Sequence, residues 1–265
     1  IGGWIKYSAN AFIGLCRSLL QWTANDGSNL LGVGTSKKLY VESGETFYDV
    51  TPIRSSSTIN TNPFALTGGS AEVTVTDTDH GALAGDFVTF SGSTSSDANI
   101  TADVMDSEYV IDSIVNANSY KVTMSASAAG SDATEGGSGV TAAYQISIGL
   151  DTSVLGTGWG VDTFGAEGWG VASSGAATSI TAQLRVWTLA PFGEDLIANI
   201  RNGPIYLWET RAGFATRAVD FNDVAGADQC PTICRTVVVP AETTHLLVLG
   251  WEPFKSKGKQ HTLLT

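Results

Sequence analysis

Short runs of strict apolar–polar alternation recur along this chain. Leu31 and Val33 alternate with Gly32 and Gly34, Ser36-Lys37-Lys38 offers a polar turn, and Leu39 and Val41 alternate with Tyr40 and Glu42. A period of two on both sides of a polar break predicts a β-hairpin. A further strand is predicted over residues 46–51, ending at Pro52, which has no N–H to give a central ladder. Glu72-Val73-Thr74-Val75-Thr76 alternates in the same way and runs into a turn at residues 77–81. Residues 86–90 and 109–115 read as strands, followed by one with Tyr120, Val122 and Met124 on its apolar face and one with Tyr144, Ile146 and Ile148. Five or six short strands in so small a span make a small barrel or sandwich. Strands are predicted again at 183–189, 195–200, 205–208, 236–239 and 245–250, while the Gly/Ser-rich residues 130–139 read as a mobile loop.

A weak internal repeat joins the two ends of the chain. Leu30-Leu31-Gly32-Val33-Gly34 lines up without gaps on Leu196-Ile197-Ala198-Asn199-Ile200, and Leu39-Tyr40-Val41 then falls on Ile205-Tyr206-Leu207. Leu246–Leu249 is a third candidate for the first of these strands, at a distance of the order of one propeller blade, roughly forty to fifty residues. The fold class expected is therefore all-β, a propeller-like body with an inserted small β-barrel or sandwich.

Composition sharpens the division. The chain has 265 residues, 43% hydrophobic and only 15% charged, with 30 glycines. Long exposed helices need more Lys and Glu than this; many short strands with tight turns do not. The net charge is −12 and unevenly spread: between Leu66 and Ile148 eleven acids face the single base Lys121, whereas the remainder is nearly balanced. Two segments of such different charge predict two structural units, with residues 1–65 the first part of the propeller-like body, 66–149 the acidic insert, and 150–265 a Gly/Trp-rich loop and an incomplete continuation of the body. A surface so poor in Lys and Arg does not bind nucleic acid by neutralising phosphates, although an acidic wall lets DNA slide past. The chain starts at Ile1 and its only methionines are Met105 and Met124, so it reads as part of a longer polypeptide. The apolar run 11–20 is short and broken by Arg17, which excludes a membrane span there.

The candidate chemistry is sparse. Cys16, Cys230 and Cys234 are an odd count, and Cys230-Pro-Thr-Ile-Cys234 is one residue too long for the usual redox spacing; structural thiols or one local disulfide are expected. Asp77-Thr78-Asp79 resembles the start of a calcium loop but lacks the terminal glutamate, so a turn is the better reading. Glu194-Asp195 are neighbours on a strand and would point to opposite faces, which does not suit paired catalytic carboxylates. No catalytic residue, metal ligand or cofactor is assigned, and the chain is expected not to be an enzyme. The aromatic residues Trp159, Phe164 and Trp169, set among glycines, are the candidate interface or loop-packing residues; with Trp187 they also suit stacking on sugars.

The run Val33-Gly34-Thr35-Ser36-Lys37-Lys38-Leu39-Tyr40-Val41, with Tyr48-Asp49-Val50-Thr51-Pro52-Ile53-Arg54, resembles tail proteins of the nozzle or tail-hub type in short-tailed phages. The resemblance resumes at Leu184-Arg185-Val186-Trp187 and continues through Phe192-Gly193-Glu194-Asp195-Leu196-Ile197-Ala198-Asn199 to Gly203-Pro204-Ile205-Tyr206-Leu207-Trp208, about half the chain in all. It implies a virion structural protein that assembles into a ring, commonly a hexamer, against adjacent tail or adaptor proteins, with DNA only as transiting cargo. His80-Gly81 with Gly85-Asp86-Phe87-Val88-Thr89-Phe90-Ser91-Gly92 resembles a small β-barrel module also found as the first catalytic-cysteine half-domain of ubiquitin-activating enzymes. The insert has no cysteine, so the resemblance implies the barrel and no activity. The alternative function is a receptor- or glycan-binding tail or decoration module.

Overall fold

The computed structural model describes residues 3, 8, 10–130, 133–150, 184–227, 230–240, 245–250 and 263–264. It is nearly all β and divides into two compact units, one of residues 1–52 with 148–265 and one of Ile53–Ser147. The insert thus starts at Ile53 rather than at the charge boundary near residue 66, because the uncharged stretch after Arg54 supplies a strand to it.

The first sheet is an antiparallel meander of β1 (Cys16–Thr23), β2 (Asn29–Thr35), β3 (Leu39–Ser43) and β4 (Thr46–Asp49) in chain order. Gly44 and Glu45 both have positive φ between β3 and β4, the geometry that matches the twist of a tight two-residue hairpin. The apolar–glycine alternation of β2 is a packing device. A Cβ on Gly34 would stand 2.6 Å from the Trp187 ring, and one on Gly32 would meet Leu189, Leu196 and Trp22 at 3.4 Å.

The second unit contains β5 (Ile53–Thr58), β6 (Phe64–Leu66), β7 (Glu72–Thr76), β8 (Phe87–Ser91), the short helix α1 (Ala102–Met105), β9 (Glu108–Asn116), β10 (Ser119–Thr123), β11 (Ala133–Glu135) and β12 (Thr141–Gln145). Its eight strands form one ladder in the order β11-β6-β7-β10-β9-β8-β12-β5. The ladder closes. Thr58 pairs with Thr141, Ile59 N donates to Val140 O, Asn62 N donates to Gly137 O, and Leu66 pairs with Ala133, all in one antiparallel register. β5 with β6, and β11 with β12, are therefore successive lengths of two long strands, and the eight segments make six staves of an antiparallel barrel, an even number as closure without a parallel pair demands. A closed ladder leaves no edge.

Alternation then fills the barrel. Val73 and Val75, Val88 and Phe90, Tyr109 and Ile111, Tyr120 and Val122, and Ala142 and Tyr144 point inward from β7, β8, β9, β10 and β12 and are buried with Phe64, Ile100 and Met105. Each fully buried side chain of this size contributes about 1.5–3 kcal/mol. The Gly-rich segment expected to be a mobile loop is largely barrel wall: β11 pairs with β6, and Gly136 and Gly137 take positive φ where a Cβ would strike Pro63 (2.6 Å) and Thr94 (2.4 Å). Glycine there serves close backbone approach; residues 131 and 132 lie outside the described ones.

Beyond the insert come β13 (Trp187–Phe192), β14 (Asp195–Ile200), β15 (Ile205–Trp208) and β16 (Val219–Asp220), a second antiparallel meander, then β17 (Thr236–Val238), β18 (Leu246–Leu249) and β19 (Leu263–Leu264), a third. β13 starts later than the expected 183–189, since Leu184 makes only an isolated bridge to Leu150 and buried Arg185 wedges against Gly149. The repeat read from sequence falls on equivalent strands: β2 matches β14, β3 matches β15, and Leu246–Leu249 is again a second strand. The first and second meanders pack through Gly32, Gly34, Trp22, Trp187 and the edge-to-face pair Trp22–Trp208. The second and third share a core of Ile197, Ile205, Leu207, Cys230, Cys234, Val237, Leu246 and Val248.

Candidate functional site

Three buried polar clusters stand out from this apolar frame. In the first, the Lys38 ammonium, 1% exposed as a residue, lies 2.7 Å from Asp49 Oδ2, and Arg217 reaches Asp49 Oδ1 at 2.9 Å. Burial alone would raise the Asp49 pKa, but the charges of Lys38 and Arg217 outweigh it and hold the carboxyl below its ordinary range. Thr51 Oγ1 donates to Asp49 Oδ1 (2.6 Å) and accepts from Leu39 N (3.0 Å), while Ala218 N donates to Val50 O (2.9 Å). Thr35 Oγ1 accepts from the N–H groups of Lys37 and Lys38. The cluster thus ties the β2–β3 turn, the end of β4 and the approach to β16 to one another.

The second cluster lies in the barrel. Tyr120 and Tyr144 share a hydrogen bond of 2.8 Å, and the Tyr144 hydroxyl donates to the buried Asp77 carboxylate. Burial pushes both phenols well above their usual range, Tyr144 further because Tyr120 and Asp77 sit beside it. Arg54 lies over the Tyr144 ring at 5.2 Å and 3.9 Å from Asp86, whose carboxylate accepts from Leu83 N and Ser147 Oγ, both at 3.0 Å. His80 packs edge-on to Tyr120; its Nδ1 accepts from Ala82 N (3.0 Å), so Nε2 carries the proton and donates to Asn116 O (3.0 Å). These bonds gather the strand that enters the barrel, the strand that leaves it and the 77–86 turn.

The third surrounds Asn199, which is fully buried. Its Nδ2 donates to the carbonyls of Ile200, Gly203 and Pro204 and approaches Cys234 Sγ at 3.0 Å. Cys230 and Cys234 are both free thiols here. Burial raises Cys230 to about 11 and Cys234 to about 12, a protonated and unreactive state at neutral pH.

The residues singled out from sequence fare unequally. Trp159, Phe164 and Trp169 lie outside the described residues. Trp187 is a core residue: it is 3% exposed, its indole fills the space left by Gly34, and Nε1 donates to Thr35 O at 2.7 Å. Asp77 is committed to Tyr144, while Asp79, at positive φ, donates its backbone N–H to Asn118 Oδ1. Glu194 and Asp195 stand at the β13–β14 turn; the Glu194 carbonyl accepts from Trp22 Nε1 (2.8 Å) and the Asp195 carboxylate from Thr210 N (2.8 Å). Burial raises the Asp195 pKa, helped by Glu209 and Glu194, against the lowering bond from Thr210. Among the described residues, no group of three or more His, Cys, Asp or Glu is placed to hold a metal ion, and no helix is long and apolar enough to cross a membrane. Pattern alone gave no sign of the roles of Arg54, Arg217 and Asn199: the two arginines are placed by partners remote in sequence, and Asn199 by the carbonyls of its own β14–β15 turn together with Cys234.

The strings that carry the tail-protein resemblance coincide with these clusters. Thr35, Lys38, Asp49 and Thr51 belong to the first, and Arg185, Trp187 and Asn199 to the contacts of the second meander. They specify how strands are joined.

No protein-family model matches the chain, and no curated protein matches it. Among solved structures it matches the phage phi92 endosialidase with 14% identity and a TM-score of 0.28, over 88% of this chain and 32% of that one. The chain therefore spans about a third of that protein's length, and a likeness of that strength supports no functional inference.

Proposed function

We propose that this chain is a virion structural protein of a phage tail, contributing a propeller-like body to a ring-shaped nozzle or hub through which the genome leaves. One observation carries the reading: two of the tail-protein strings, residues 33–41 and 195–208, fall on the second and third strands of two four-stranded antiparallel meanders, the strand arrangement of a propeller blade. The ion pairs support it, since the buried Lys38 and the half-buried Asp49 and Arg217 are spent on joining strands. In this reading the partners are further copies of the chain, as a hexamer, and the adaptor or tail proteins above and below. DNA is transient cargo, and an acidic, lysine-poor surface suits a polymer that passes without adhering.

The test is negative-stain electron microscopy of the purified chain. Closed rings with a central hole wide enough for duplex DNA are the expected result; monomers from a demonstrably full-length chain would sink the reading. The competing reading, glycan or receptor binding, draws on the repeated Gly158-Trp159-Gly160 and Gly168-Trp169-Gly170. It predicts oligosaccharide binding on a glycan array that is lost in Trp159→Ala or Trp169→Ala.

A further inference from the structure

The first meander ends at β4, and a terminal strand presents unpaired N–H and C=O groups that invite another strand. Here those of Phe47 are taken by a side chain. Asn10 Nδ2 donates to Phe47 O at 2.8 Å, and Phe47 N donates to Asn10 Oδ1 at 3.0 Å. One carboxamide therefore makes both bonds that a paired strand residue would make. Ser8, 6% exposed, extends the same contact: its hydroxyl lies 2.6 Å from Glu45 O and 2.8 Å from Asn10 Oδ1. Phe12 completes it, packing edge-on to Phe47 with ring centroids 5.2 Å apart and tilted against Tyr40 at 6.4 Å. Among the described residues before β1, which begins at Cys16, none is in a strand paired with β4.

We propose that Ser8, Asn10 and Phe12 form an edge guard that keeps β4 from pairing with β4 of a second copy of this chain. The geometry suits a second copy. Both Phe47 backbone groups point out of the sheet, so a two-fold axis that sets Phe47 opposite itself exchanges two N–H···O bonds. That arrangement reproduces with main chain what Asn10 does with its side chain, and a self-complementary patch of this kind is what a two-fold contact needs. It also stacks one Phe47 ring against its counterpart, replacing the cover that Phe12 provides. Asn10 holds a one-residue imitation of a strand, strong enough to satisfy the edge and short enough to be displaced. The inference stands independently of the ring reading, because it concerns one sheet edge only.

The experiment is Asn10→Ala in the full chain, read by hydrogen exchange of the Phe47 amide and by sedimentation velocity over a range of concentrations. The expected result is loss of protection at Phe47 at low concentration, with a concentration-dependent species of higher mass than wild type. An amide that stays protected at low concentration shows that Asn10 does not hold it and overturns the proposal. An amide that exchanges freely, in a variant that sediments as wild type does, overturns it equally, because the opened edge then recruits nothing. Asn10→Asp guards against misfolding: it keeps the shape and the acceptor for Phe47 N–H but sets a carboxylate against Phe47 O. It should fall between wild type and Asn10→Ala in both readouts, and a wild-type result in both would count against the guard.

Discussion

The barrel buries its apolar side chains inside a single closed ladder, whereas the meander body buries them between separate sheets. In the barrel, neighbours on one face of a strand are enough: Val73 and Val75, or Tyr120 and Val122, meet partners across a wall they help to form. In the body, each sheet is incomplete until another covers it, and the fit depends on shape at distant positions. Gly34 has no side chain because Trp187 fills its place, and Lys38 is tolerated in the interior because Asp49 neutralises it, with the more exposed Arg217 held against the same carboxylate. Local pattern specifies the barrel, and matched exceptions specify the meander body.

The sharpest way to break this contrast is Asp49→Ala. It strands the Lys38 ammonium in the interior, and removal of one partner from a buried ion pair costs about 3–5 kcal/mol. Arg217 keeps some access to solvent and loses less. The loss should appear in the body alone. Tryptophan fluorescence reads it selectively, because all seven tryptophans lie outside residues 53–147. A drop of the same size in the barrel's tyrosine signal would refute the separation.

Phe90→Ala is the mirror experiment. Phe90 is 1% exposed and meets Phe64 edge to face at 5.0 Å, so truncation leaves a cavity worth about 3–5 kcal/mol. Near-ultraviolet dichroism from Tyr109, Tyr120 and Tyr144 should melt earlier, while tryptophan emission holds its wild-type midpoint. Coincident shifts of both signals would mean that the units unfold as one.

The smallest effect concerns pH. The Asp97 carboxylate accepts from the backbone N–H groups of Ile100, Asn99, Ala129 and Gly130, foremost from Ile100, and these bonds lower its pKa from 3.8 to about 2. A depressed carboxylate pKa contributes stability above the unfolded value that is lost as pH falls through the folded one. Acidification from pH 4 to about 2 should therefore free the Ile100 and Ala129 amides to exchange, with the rest of the barrel wall unchanged. In Asp97→Asn those amides should exchange faster already at neutral pH and show no such step. An unaltered acid step in the variant would assign it to another group.

How much of this was legible in the residues follows from the same contrast. The inward rows of β7 and β10 could be read directly, because alternation is a local signal and each row is apolar; for β12 only Tyr144 of the expected row Tyr144, Ile146 and Ile148 lies in the barrel core, since the strand ends at Gln145. The strand that closes the barrel could not. Ile53-Arg54-Ser55-Ser56-Ser57-Thr58 is mostly exposed and polar, and it is a strand only because β12 lies beside it. The glycines at 136 and 137 looked like slack when they are tight contacts. The hairpin repeat was visible as matched strings, but the role of Lys38, Asp49 and Arg217 was not, since nothing near Lys38 in sequence announces Arg217. Asn10 was equally silent: nothing beside it in sequence points to β4, and only the position of Phe47 makes it a cap.

The pairing of Ile53 with Gln145 has a consequence for descent as well as for folding. The point where the chain departs into the barrel and the point where it returns are cross-strand neighbours, so the excursion begins and ends in nearly one place. Such a cassette can be acquired, exchanged or discarded in a single genetic event, with only a short tether needed to rejoin the surrounding chain. Lineages of this protein are then expected to vary by whole cassettes at this position, while the glycine and tryptophan positions of the meanders change only in concert.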